Sequence, residues 1–161
     1  MALPDASVIS PGGPPRPIRE VLAESATPTL LAFFKTSCPT CKLAWPYVQA
    51  VHTAYGGRAV RVVGVSQDDE PKSREFFASF GPATFDLALD PSPAYAASNA
   101  ADVESVPLLV LLDRDGTELA RFAGWQRKAL EEMGALLATK AGVPPVALIA
   151  EDDPVPSWKA G

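Results

Sequence analysis

Residues 29–55 constrain this chain more than any other stretch. Thr29–Phe34 (TLLAFF) is an unbroken apolar run, and it gives way to KTSCPTCKLAWPYVQAVHTAY, where Leu43, Tyr47, Ala50, Val51 and Ala54 recur at helical spacing. The run reads as a strand buried on both faces, and the spaced set as an amphipathic helix that Gly56-Gly57 ends. Between them sits Cys38-Pro39-Thr40-Cys41, which holds the only two cysteines of the chain. A strand without a polar face needs a layer of structure on each side, which leaves few architectures open. The position also sets the chemistry. Unpaired N–H groups and the helix dipole favour an anion at a helix start, so the Cys38 thiol should ionise below its usual ~8.5. Two intervening residues bring the sulfurs within bonding distance. Cys38 can then attack a target disulfide and Cys41 can resolve the mixed disulfide.

The rest of the chain repeats the alternation. Ala59–Ser66 is a Val-rich strand, and Phe76, Phe77 and Phe80 form an apolar stripe on a helix over about 71–80. Ala83–Leu89 reads as a strand, 93–101 as a small-residue helix and Val106–Leu112 (VPLLVLL) as a second fully buried strand. Asp113–Gly116 (DRDG) turns the chain into a strand over 117–123, and an amphipathic helix over 125–141 closes the pattern. The order β–α–β–α–β–α–β–β–α predicts an α/β fold, with a mixed sheet covered on both faces and its last pair antiparallel.

Composition bears on the ends. Of 17 prolines in 161 residues, six fall in 1–28 and four in 143–161. The core is therefore set at 29–142. Residues 1–28 form a Pro-rich extension with a possible short helix at Ile18–Ser25, and 143–161 form a Pro-rich acidic tail expected to be irregular. Net charge is −5, and no Lys/Arg cluster supports nucleic-acid binding. No apolar run approaches the ~20 residues of a membrane span. The opening MALPDASVIS has neither a basic n-region nor an apolar h-region, so a cytoplasmic location is expected. Zinc wants four ligands, and the chain offers two cysteines plus His52, about three helical turns past Cys41. No metal is expected, and His52 reads as a solvated residue of the helix face. The bland alternative is a pair of inert core thiols. Trp45 and Trp125 read as core packing.

In order along the chain, the CxxC at a strand–helix junction, Pro46 eight residues beyond Cys38, Val106-Pro107 opening a buried strand, the following hairpin and Gly124 before the last helix resemble the thioredoxins. The 40 residues from Gln67 to Val106 exceed what a minimal thioredoxin needs. This insertion resembles the TlpA/ResA-like thiol–disulfide oxidoreductases, which are related to the peroxiredoxins. The resemblance implies a thioredoxin-like three-layer α/β/α sandwich with a mixed central sheet and an inserted helix–strand unit. It implies that Pro107 is cis and faces the sulfurs, and that the Val106 backbone pairs with an incoming substrate strand. It further implies a redox-active Cys38–Cys41 disulfide with no other cofactor, and as partners a protein disulfide or dithiol plus an upstream reductant.

The departures from those families concern the site. Ser37 stands where thioredoxins carry Trp, which makes one wall smaller and more polar. Ala32 stands where thioredoxins carry a buried Asp, and Ala44 where TlpA/ResA-like proteins often carry Glu. Both usual proton acceptors for Cys41 are missing, so its attack should be slow or use water, with Lys35 and Glu104 as the nearby titratable groups. Pro39 removes an N–H that could steady the Cys38 thiolate, and the Thr40 hydroxyl could replace it. The expected potential is mildly more oxidising than that of thioredoxin, about −270 mV. Two other functions compete with disulfide exchange. A peroxidase would want Thr three residues before the nucleophile, where this chain has Lys35. A non-enzymatic binding module would use the Pro-rich ends.

Overall fold

The computed structural model describes residues 1–161. After a 3₁₀ turn at Leu3–Asp5 come β1 (Ser7–Ile9), β2 (Pro15–Pro17), α1 (Ile18–Ala23), β3 (Thr29–Phe34), α2 (Pro39–Tyr55) and β4 (Arg61–Ser66). Then follow α3 (Glu70–Ser79), β5 (Asp86–Leu89), α4 (Ala96–Ala100), β6 (Leu108–Leu112), β7 (Glu118–Ala123), β8 (Trp125–Gln126), α5 (Arg127–Ala141) and β9 (Trp158–Lys159). Seven strands make one mixed sheet in the order β2-β1-β5-β4-β3-β6-β7. β3 pairs in parallel with β4 and β4 with β5, whereas β6 runs antiparallel to both β3 and β7. All of β3 and β6 and nearly all of β4 is buried, as a sheet covered on both faces requires. The expected thioredoxin-like α/β architecture is the one observed.

An aromatic cluster locks the start of α2 onto the sheet. Phe34 at the end of β3 lies 4.3 Å from Trp45 of α2 and 4.9 Å from Phe76 of α3, and Trp45 also meets Phe85 at 5.5 Å (ring centroids). Such contacts fix orientation as well as burying area. Trp45 is a core residue, as read from the sequence, and Trp125 is also buried.

The short helix read at Ile18–Ser25 is present as α1, and otherwise the ends carry more structure than their Pro-rich composition suggests. β1 and β2 form a hairpin that joins the sheet through Ile9 opposite Leu89, and α1 supplies Ile18, Val21 and Leu22 to the core. β2 contains Pro15 and Pro17, yet it lies at the sheet edge, where a missing N–H costs no ladder bond. The tail is largely irregular but pairs with β8 through β9. Ala59 and Val60 are not strand but a loop, their amides donating to the Tyr55 carbonyl that ends α2.

Candidate functional site

Cys38 is the N-cap of α2. Its backbone is extended (φ −82°, ψ 116°), and its sulfur accepts the Cys41 N–H at 3.1 Å. The loop before it is pinned from both sides. Its own amide donates to the Lys35 carbonyl, while the Thr36 amide and hydroxyl both donate to Asp68 Oδ2, at 2.7 and 2.9 Å. Asp68 lies two residues past the end of β4, so the parallel β3–β4 pairing delivers a carboxylate to the turn that aims Cys38. Sequence reasoning missed this tie, because its partners stand 32 residues apart.

Two residues separate Cys38 from Cys41, and the surroundings of the two thiols are opposite. Cys38 is half-buried, and Cys41 is fully buried in the core. A hydrogen bond from the Cys41 thiol, reinforced by the Cys41 and Thr40 amides and the Lys159 ammonium, lowers the Cys38 pKa to about 6 against the cost of partial burial. The N–H that Pro39 cannot supply is thus replaced by the next two. Burial pushes the Cys41 thiol well above its ordinary range, and its bond to Cys38 adds to this. Ala32 and Ala44, the positions without the familiar carboxylates, are buried apolar contacts.

Val106-Pro107 is cis and faces this helix start. The protonated Cys38 thiol donates to the Val106 carbonyl at 3.3 Å. Cys38, Pro39, Lys35, Gln67, Val103–Val106 and Gly161 line an open cleft of about 350 Å³. Lys35, Ser37 and Glu104 are exposed; Lys35 and Glu104 are surface charges at the cleft, and Ser37 is not among the residues that line it. Gln67 was not singled out in the sequence. It bonds Ser98, which also accepts the Val103 amide through its carbonyl, so it braces the strip leading to Val106.

Two expectations change. The Thr40 hydroxyl does not turn to Cys38; it donates to the Ala160 carbonyl at 2.6 Å. His52 is not a solvated side chain: it is half-buried against Phe85, and its Nδ1 is buried without a partner. It lies well along α2 from the sulfurs. No group of three or more His, Cys, Asp and Glu residues is placed to hold a metal ion. No helix is long and apolar enough to cross a membrane.

Residues 16–139 match the AhpC/TSA family, and the chain belongs to it. Solved structures with the same fold include the dsbF protein of MTB, at TM-score 0.68 and 22% identity over 86% of this chain and 97% of that one. A secreted Mycobacterium tuberculosis disulfide oxidoreductase, described as homologous to E. coli DsbE, matches at TM-score 0.65 and 18% identity, covering 85% and 97%. StoA from Bacillus subtilis matches at TM-score 0.60 and 22% identity, covering 83% and 96%. These neighbours agree with the TlpA/ResA-like resemblance. No curated protein is similar to the chain at a significant level.

Proposed function

We propose that this protein is a thiol–disulfide oxidoreductase acting on protein disulfides, with Cys38 as nucleophile and Cys41 as resolving thiol. The carrying observation is the asymmetry of the pair: an acidic, cleft-facing Cys38 above a sealed, weakly acidic Cys41. The Cys38 thiolate attacks one sulfur of a substrate disulfide and expels the other as a thiolate. Deprotonated Cys41 then attacks Cys38, releasing the second substrate thiol and leaving a Cys38–Cys41 disulfide. Two electrons pass to the substrate, and the two sulfurs are the only redox group needed. An upstream reductant restores the dithiol. Val106 and Pro107 form the edge against which an extended substrate lies, and Ser37, Pro39 and Thr40 tune access and acidity.

The thiolate is stabilised and the resolving thiol is not, so the dithiol form gains and the pair should be more oxidising than thioredoxin. Equilibration with glutathione checks this; a potential below about −280 mV would contradict it. The cytoplasmic location is part of the proposal, to be checked by fractionating the host, given that one neighbour is a secreted protein.

Insulin reduction coupled to dithiothreitol tests the function. The wild-type chain should accelerate it, and the Cys38→Ser chain should match dithiothreitol alone. The reading fails if the wild-type chain adds nothing, or if it consumes hydrogen peroxide faster than it reduces disulfides.

A further inference from the structure

The tail crosses the active-site mouth as a strand. β9 pairs antiparallel with β8, with Lys159 opposite Trp125 and Trp158 opposite Gln126. The Arg127 amide donates to the Ser157 carbonyl at 3.0 Å, and Trp125 Nε1 to the Pro156 carbonyl at 2.6 Å. Beyond β9, the Ala160 carbonyl takes the Thr40 hydroxyl, and Gly161 rests on Val106. Two glycines permit this path. A Cβ at Gly124 (φ +69°) would come 2.7 Å from the Lys159 carbonyl, and a Cβ at Gly161 would come 2.3 Å from the Val106 carbonyl.

Every one of these contacts is made through the main chain of the tail. The side chains of Ser157–Lys159 and Ala160 point to solvent, Trp158 being 63% exposed. Upstream, the anchor is different. Arg127 donates to the Ala150 and Asp153 carbonyls at 3.0 Å each, Tyr47 donates to Asp153 Oδ2 at 2.8 Å, and Ile149 is buried. The segment up to Val155 is therefore held in place independently, while 157–161 is held by a few main-chain bonds and buries almost nothing. Segments of that kind open locally at low cost.

We infer that Ser157–Gly161 is a built-in competitor for the substrate groove: an extended strand that lies on Thr40 and Val106 where a protein disulfide must dock, and that has to lift before such a substrate reaches Cys38. The inference rests on the oxidoreductase reading and adds to it a substrate class and a control. The groove takes extended polypeptide through its main chain, with a small residue over Val106. Small disulfides, which need no strand pairing, reach Cys38 past the strap through the open cleft.

The test compares three forms at pH 8, well above the Cys38 pKa, so that loss of the Lys159 charge cannot alter the thiolate fraction: the full chain, a chain ending at Pro156, and the full-length Lys159→Pro variant, which breaks the β8–β9 ladder. Insulin reduction should rise about tenfold in both variants, equivalent to about 1.4 kcal/mol of strap docking. Reduction of hydroxyethyl disulfide should change less than about twofold, the effect of a few tenths of a kcal/mol. An amidated peptide of residues 154–161 should slow the shortened chain on insulin and not on the small disulfide. Unchanged or slower insulin reduction with the small-disulfide rate intact overturns the strap. If no form reduces either insulin or the small disulfide, the oxidoreductase reading fails instead. The strap is then judged by attaching a bulky maleimide to Cys38, which should be faster in both variants; equal rates overturn it.

Discussion

The mouth of the site and its floor lie one helical turn apart and behave as different solvents. At the mouth, Cys38 meets N–H groups, a thiol donor and an open cleft, with a weaker pull from the Lys159 charge. On the floor, Cys41 meets the hydrophobic core, with Ala32 and Ala44 where related proteins place acids. The helix start stabilises charge, whereas burial one turn further in penalises it. The difference teaches that a CxxC is two environments: the first favours the thiolate, and the second favours the thiol.

The largest effect should come from removing one cysteine at a time. Cys38→Ser should abolish disulfide reduction, whereas Cys41→Ser should still complete the first attack and accumulate mixed disulfide visible on a non-reducing gel. Equal loss without trapped adduct in both would break the asymmetry. Next, Ala44→Glu supplies a carboxylate to the floor. It should shorten the lifetime of the mixed disulfide at least about tenfold, the low end or below for general-base catalysis, and cost about 1–3 kcal/mol of stability for the buried polar group. An unchanged lifetime in a folded variant would mean that proton removal does not limit resolution.

A smaller effect concerns pH. Iodoacetamide should modify Cys38 with a midpoint near pH 6, while Cys41 stays unreactive until the chain unfolds. The folded pKa lies below the unfolded value near 8.5, so the thiolate adds stability that is complete above about pH 8.5 and lost as pH falls through 6. The stability gap between wild type and Cys38→Ser should widen over that window. A gap that is flat with pH would remove the thiolate from the account.

Which features were legible follows from the range of the forces behind them. β3 has the bounds read from its apolar run, and α2 the extent set by its periodicity and Gly56-Gly57, because local pattern and burial agree there. The cysteines and Pro107 were legible by their order along the chain. The Thr36–Asp68 tie, the Gln67 brace and the tail's contacts with Thr40 and Val106 were not, because each joins residues distant in sequence through one or two hydrogen bonds or a main-chain approach that leaves no periodic mark. The N-terminal strands were hidden for another reason: prolines argue against a strand in general, and only the edge position of β2 makes them harmless.

Thr40 joins the two regions, and its substitution should give the smallest and most discriminating effect. Its amide supports the Cys38 thiolate, while its hydroxyl is spent on Ala160. Thr40→Val keeps the amide and the shape and removes only the bond to the tail. One net hydrogen bond is worth about 0.5–1.5 kcal/mol, so protein-disulfide reduction should rise about twofold to tenfold as the strap loosens. The alkylation midpoint of Cys38 should stay within about half a pH unit. If the midpoint instead rises by about a unit and small-disulfide rates change with it, the hydroxyl belongs to the thiolate and not to the strap. The mouth would then be tuned by its side chains, and the tail would be a bystander to the chemistry.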